Sequence, residues 1–114
     1  MTRQGNALRA DVGIIGGSGL YDIEGLRKVT ECSVKTPFGA PSDNVVFGEL
    51  DGIRIAFLSR HGRGHRVNPS EINYRANIAA LRDCGVEEIF AVTAVGGIAA
   101  SAGPGCLVIP DQII

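Results

Sequence analysis

The sequence predicts an α/β fold with a mixed central sheet, and three stretches carry that prediction. Ile55-Ala56-Phe57-Leu58 is an uninterrupted apolar run, the pattern of a strand covered on both faces. Asp51-Gly52 joins that run to Asn44–Leu50, and this dipeptide favours a two-residue turn, so part of the sheet is antiparallel. Between Pro69 and Gly85 the apolar residues recur at helical spacing instead, and a further apolar run, Val86–Thr93, follows. Strand, helix and strand in that order make one crossover between parallel strands. With 114 residues, 45% of them hydrophobic, the chain has material for one packed core and not for two.

Taken in order, residues 1–10 are polar and are expected to form a flexible tail. Asp11–Ile15 is a short first strand running into Gly16-Gly17-Ser18-Gly19, where the backbone can approach a ligand closely. Val29–Val34 alternates weakly as a second strand, and the prolines of Pro37-Phe38-Gly39-Ala40-Pro41 keep the next stretch in a loop. Asn44–Leu50 and Ile53–Leu58 form the hairpin. Pro69-Ser70-Glu71 starts the helix, with Ser70 as the expected cap and Glu71 near the positive end of the dipole. Ile72, Ala76, Ala79, Ala80 and Cys84 make its buried stripe, and Gly85 stops it. Cys106–Ile109, bounded by Gly103-Pro104-Gly105 and Pro110, reads as another short strand. One helix cannot cover so many strands. The faces of Ile89–Val92 and Leu107–Ile109 are expected to stay open, and open strands invite pairing with another chain.

A net charge of −1 argues against a broad nucleic-acid surface. No apolar run approaches the roughly 18 residues of a membrane-spanning helix. The first ten residues also lack the apolar centre of a signal peptide. Cys32, Cys84 and Cys106 are odd in number, far apart and without metal-ligand spacing. They are expected to be buried free thiols in a reducing cytoplasm.

Arg60 and His61 end the most apolar strand, so they must emerge at its carboxyl end, the rim where open α/β sheets hold ligands. A guanidinium fork beside an imidazole suits an oxyanion. A solvated loop or a nucleic-acid contact would also use the basic run Arg60-His61-Gly62-Arg63-Gly64-His65-Arg66, but neither needs an arginine at the end of an apolar strand. Gly16–Gly19 follows a strand, as a phosphate loop does. It lacks the third glycine of a dinucleotide fingerprint, with Asp22 in that place, and the lysine of a P-loop. A plain tight turn and a phosphate cradle of backbone amides with the Ser18 hydroxyl are its two readings. Thr93-Ala94-Val95-Gly96-Gly97 is either close packing or the third part of a donor set. Arg63 and Arg66 read as surface charge, and Asn73, Tyr74 and Asn77 as capping or helix–sheet contacts.

Five ordered motifs add a resemblance. They are Gly16-Gly17-Ser18-Gly19-Leu20, Thr36-Pro37-Phe38-Gly39-Ala40-Pro41-Ser42, Arg60-His61-Gly62-Arg63-Gly64-His65, Asn73-Tyr74-Arg75-Ala76-Asn77 and Pro104-Gly105-Cys106-Leu107-Val108-Ile109-Pro110-Asp111-Gln112. Through them the chain closely resembles the N-terminal part of the 5′-methylthioadenosine phosphorylases, in the trimeric branch of the purine nucleoside phosphorylases that also holds the methylthioinosine phosphorylases. The resemblance implies a partly barrel-like central sheet with flanking helices, with residues 11–114 as the N-terminal part of a single phosphorylase domain. It implies reversible phosphorolysis of 5′-methylthioadenosine to adenine and 5-methylthioribose 1-phosphate, without a metal or organic cofactor. The implied partners are phosphate, a purine (methylthio)nucleoside and further copies of the chain, in a cytoplasmic trimer or hexamer. No nucleic acid or membrane is implied. Carried over by position, Ser18, Arg60, His61, Thr93 and Ala94 would bind phosphate, Ala94 through its backbone. His65, Val95 and Gly96 would lie near the substrate, and no catalytic residue is expected within this portion.

The chain departs from that family at Ala79, where many members carry tryptophan, and at Val95-Gly96-Gly97-Ile98, where animal-type members carry Cys-Gly-Ser-Leu. Family members are also about twice as long, and the groups that read the purine and ribose belong to their later half. Methylthioinosine or general purine nucleoside phosphorolysis is therefore the alternative activity. A catalytically incomplete anion-binding fragment is the alternative of another class. Residues 1–114 alone are expected to be inactive and not to form a stable monomer.

Overall fold

Five strands, Val12–Gly16 (β1), Arg27–Cys32 (β2), Val45–Leu50 (β3), Ile53–Ser59 (β4) and Glu88–Ala91 (β5), and one α-helix, Tyr74–Asp83 (α1), make up the computed structural model, which describes residues 8–17, 19, 22–64 and 66–112. The strands form one mixed sheet in the order β2-β3-β4-β1-β5. β1 lies between β4 and β5 and is parallel to both, with Gly16 level with Ser59 and Ile15 level with Ala91. β3 runs antiparallel to its neighbours β2 and β4. The sheet therefore sets the carboxyl ends of β4, β1 and β5 side by side.

The β3–β4 hairpin turns as its sequence requires. Asp51 and Gly52 both take positive φ, 51° and 80°, the backbone of a type I′ turn, and Leu50 pairs with Ile53. Alternate residues of the central strands point into two apolar layers. On one face Ile15, Val45, Phe47, Ala56 and Leu58 pack with Ala80, Leu81 and Cys84, the stripe that α1 and its C-cap present to the sheet. On the other, Val46, Ile55 and Phe57 are covered by Ile14, Ile23, Leu26 and Leu50. This second layer thins towards β5. Phe90 is level with Ile14 yet 56% exposed.

Several expectations need correction. The helix does not start at Pro69. Pro69–Glu71 is a 3-10 turn capped by Asn68, whose side chain accepts from the Ser70 amide while Glu71 reaches back to the Asn68 amide. The α-helix proper begins after Asn73, which accepts from the Ala76 amide at 3.0 Å. Ser70 thus caps nothing, because asparagines at both turns occupy the role first. The expected stripe is otherwise correct, with Ile72, Ala76, Ala79, Ala80 and Cys84 all buried. Val86–Thr93 is strand only over Glu88–Ala91. Cys106–Ile109 forms no strand, since Leu107 and Ile109 are each 86% exposed and no described strand lies beside them. All three cysteines are free, but only Cys84 is buried; Cys32 is half-buried and Cys106 exposed. Among the described residues no helix is long and apolar enough to cross a membrane.

Candidate functional site

Three loops leave the aligned carboxyl ends of β1, β4 and β5, and Arg60 ties them together. Its amide donates to the Gly16 carbonyl at the end of β1 (2.9 Å). Its Nη2 donates to the Val92 carbonyl just beyond β5 (2.7 Å) and reaches the Ile15 carbonyl at 3.5 Å. Arg60, the residue after β4, is thus half-buried across the ends of the other two parallel strands, β1 and β5, one peptide group from Thr93. Nε and Nη1 have no protein partner among the described residues, so two donors of an anchored guanidinium are left for a ligand.

His61 follows, half-buried, with Nδ1 3.0 Å from the Val67 carbonyl. A carbonyl only accepts, so this contact places the ring proton on Nδ1 and fixes the plane of the imidazole. The Val67 amide in turn donates to the His61 carbonyl at 2.9 Å, closing the loop on itself. Thr93, Ala94, Val95 and Gly96 lie exposed after β5, and Thr93–Gly97 with Gly103–Val108 lines a cavity of about 520 Å³. The lining of that cavity includes neither Arg60 nor His61. Ser18 and His65 fall outside the described residues. Among the described residues no group of three His, Cys, Asp or Glu side chains is placed to hold a metal.

Beneath the basic loop sits a cluster the sequence did not suggest. Arg63 is bound rather than loose at the surface. It donates to Asp43 through its amide (2.8 Å), Nε (3.1 Å) and Nη2 (3.1 Å), and to Glu31 through both terminal nitrogens. Arg66 pairs with the same Asp43 carboxylate at 3.3 Å. Burial alone would raise the Asp43 pKa. The bonds from the Arg63 side chain and amide and from the Asn44 amide outweigh it and lower the group to about 2. The Glu31 carboxyl is also lowered, by its bonds from Arg63 and then Asn44. Nothing local marks Asp43 in the sequence, because an aspartate after Pro41-Ser42 is what a solvated turn would also contain.

A depressed carboxyl stabilises the fold above its ordinary pKa of 3.8 and ceases to do so as pH falls through the folded value near 2. We expect roughly 1–2 kcal/mol of stability to be lost between about pH 5 and pH 2 through this group, the exposed arginines moderating the size. Urea midpoints over that range would show it as a loss smaller in Asp43→Asn than in the parent. Equal pH dependence in both proteins would show that the cluster carries no net stabilisation.

Fold and site together define an α/β protein with polar and basic loops gathered at the carboxyl rim of its parallel strands. A family profile described as the phosphorylase superfamily matches residues 11–114, and the chain belongs to that superfamily. Its sequence is 57% identical over 103 residues to the S-methyl-5′-thioadenosine phosphorylase of Geobacter sulfurreducens, covering 90% of this chain and 36% of that protein. It is 50% identical over 109 residues to the purine nucleoside phosphorylase of Streptomyces coelicolor, covering 96% of this chain and 38% of that protein. Among solved structures, an adenosine/methylthioadenosine phosphorylase mutant from Schistosoma mansoni in complex with adenine aligns with a TM-score of 0.74. That alignment has 47% identity and covers 85% of this chain and 33% of the other. A methylthioadenosine phosphorylase from an antarctic soil metagenomic library aligns with a TM-score of 0.70 at 53% identity, covering 73% of this chain and 29% of the other. The chain spans about a third of the length of the relatives it matches, so these relatives exceed the doubling expected from the sequence.

Proposed function

We propose that this chain supplies the phosphate-binding rim of an enzyme that cleaves 5′-methylthioadenosine by phosphorolysis. The observation that carries the reading is Arg60, following one apolar strand and fixed across the ends of two others, with Nε and Nη1 unbonded by the described residues. In this reading Arg60 and His61 hold inorganic phosphate together with Ser18, the Thr93 hydroxyl and the Ala94 amide. The segment Val95-Gly96 lies beside the nucleoside, and His65 is the other residue assigned near it. A phosphate oxygen forms the new bond to C1′ as the C1′–N9 bond breaks and its electron pair leaves on the purine, which takes up a proton. The ribosyl group is cationic at mid-reaction, so a dianion fixed below C1′ both attracts it and attacks it. Alignment and charge are what the protein must supply for such a displacement, and no cofactor enters.

Methylthioinosine or general purine nucleoside phosphorolysis is a second reading, supported by the 50% identity to a purine nucleoside phosphorylase. We also infer a cytoplasmic homo-oligomer, in which the exposed apolar side of β5 and residues 107–109 is covered by further polypeptide. The complete enzyme should release adenine from methylthioadenosine only when phosphate is present, and more slowly release base from inosine. Release independent of phosphate would end the reading. A preference for inosine would favour the second one.

A further inference from the structure

We propose that Asp43 is a positioning residue that holds the Arg60–Val67 loop in register with the strand ends, through Arg63. The proposal rests on the phosphate-site reading of that loop. The Asp43 side chain is only 5% exposed, although both of its arginine partners are at the surface. It stands at the meeting point of three separate segments. Its two oxygens accept from the Asn44 amide (2.7 Å), from the Arg63 amide, Nε and Nη2, and from Arg66. The bond from the Arg63 amide matters most for position. Side-chain tips can swing, but a backbone amide anchored to a buried carboxylate fixes the course of the chain two residues after His61.

The platform beneath Asp43 is itself held. Ser42 donates its amide to the Asn77 side chain of α1 at 2.9 Å, and Asn77 donates back to the Ser42 hydroxyl at 3.1 Å. Asn77 is 2% exposed, so the helix core reaches the loop through two adjacent residues. On the loop side, Gly62 takes φ +75°, and a side chain there would meet the Ser42 carbonyl at 2.9 Å. Loop and platform are therefore in backbone contact, with Arg66 donating to the same carbonyl at 3.3 Å. An ordinary surface ion pair would leave this geometry indifferent to its loss. A buried hub joining α1 to the residues after β4 would not.

Asp43→Asn in the complete enzyme preserves shape but turns an amide group towards arginine donors. We expect the KM for phosphate to rise about tenfold while the KM for methylthioadenosine stays within about twofold, since misplacement of the Arg60 loop acts on the nucleophile. Arg63→Gln, at a side chain 43% exposed, should reproduce the same split and serves if Asp43→Asn does not fold. A parent enzyme that shows no phosphate-dependent release would overturn the functional reading itself. A parent that is active, with either folded variant showing an unchanged phosphate KM or equal losses for both substrates, would overturn the positioning role.

Discussion

Replacing Arg60 with alanine in the complete enzyme is expected to raise the KM for phosphate about ten- to hundredfold and to leave the nucleoside KM nearly unchanged. The range follows from the loss of a charge-assisted hydrogen bond, worth roughly 1.5–3 kcal/mol. Arg60 also braces the rim through the Val92 carbonyl, so part of the loss should come from a less ordered Thr93 segment. Arg60→Lys separates the two contributions. A lysine keeps the charge without the planar fork and should recover binding only in part. Phosphate titrations of initial rate would decide it, and an alanine variant with normal phosphate KM and kcat would remove Arg60 from the site.

Phe57→Ala should cost about 3–5 kcal/mol of stability, the usual range for emptying a fully enclosed aromatic site. Phe57 is completely buried in β4, against Val46, Ile55 and the partly covered Ile14. Its register partners are Val46 and Ile14, so the cavity would open in the middle of the sheet. A lowered urea midpoint at unchanged slope is the expected signature. Ile53→Thr, at a hairpin position 47% exposed, should stay within about 0.5 kcal/mol. A loss below about 1 kcal/mol for Phe57→Ala would mean that the second apolar layer collapses around the gap.

What could be read in the sequence was whatever local chemistry decides. Asp51-Gly52 dictates its own turn, and the stripe from Ile72 to Cys84 dictates which side of a helix faces a sheet. The three parallel strand ends were legible for the same reason, because apolar runs that stop at Gly16, Ser59 and Val92 must put their next residues on a rim. What could not be read depended on partners. Cys106–Ile109 has a strand's composition, but a strand also needs a partner in register, and these residues pair with neither edge of the sheet, β2 or β5. Ser70 was a sound cap in isolation and lost to Asn68 and Asn73, which reach the free amides first. Asp43, Glu31 and Arg63 are far apart in the chain, so their cluster exists only once the loop after β4 folds back over residues 42–44.

β1 precedes the other four described strands in the chain and is the last to acquire both neighbours. One edge waits for Ile53–Ser59 and the other for Glu88–Ala91, near the far end of the sequence. Such distant pairing slows folding far more than it weakens the folded state, because the entropy of closing a long loop grows only with the logarithm of its length. The hairpin of β3 and β4 can form on its own during synthesis, while Ile14 and Ile15 remain an unpaired sticky edge until β5 arrives. An anion that needs Arg60 fixed across both completed seams binds only the finished sheet. By mass action, any anion bound there would draw late-folding chains towards the assembled state.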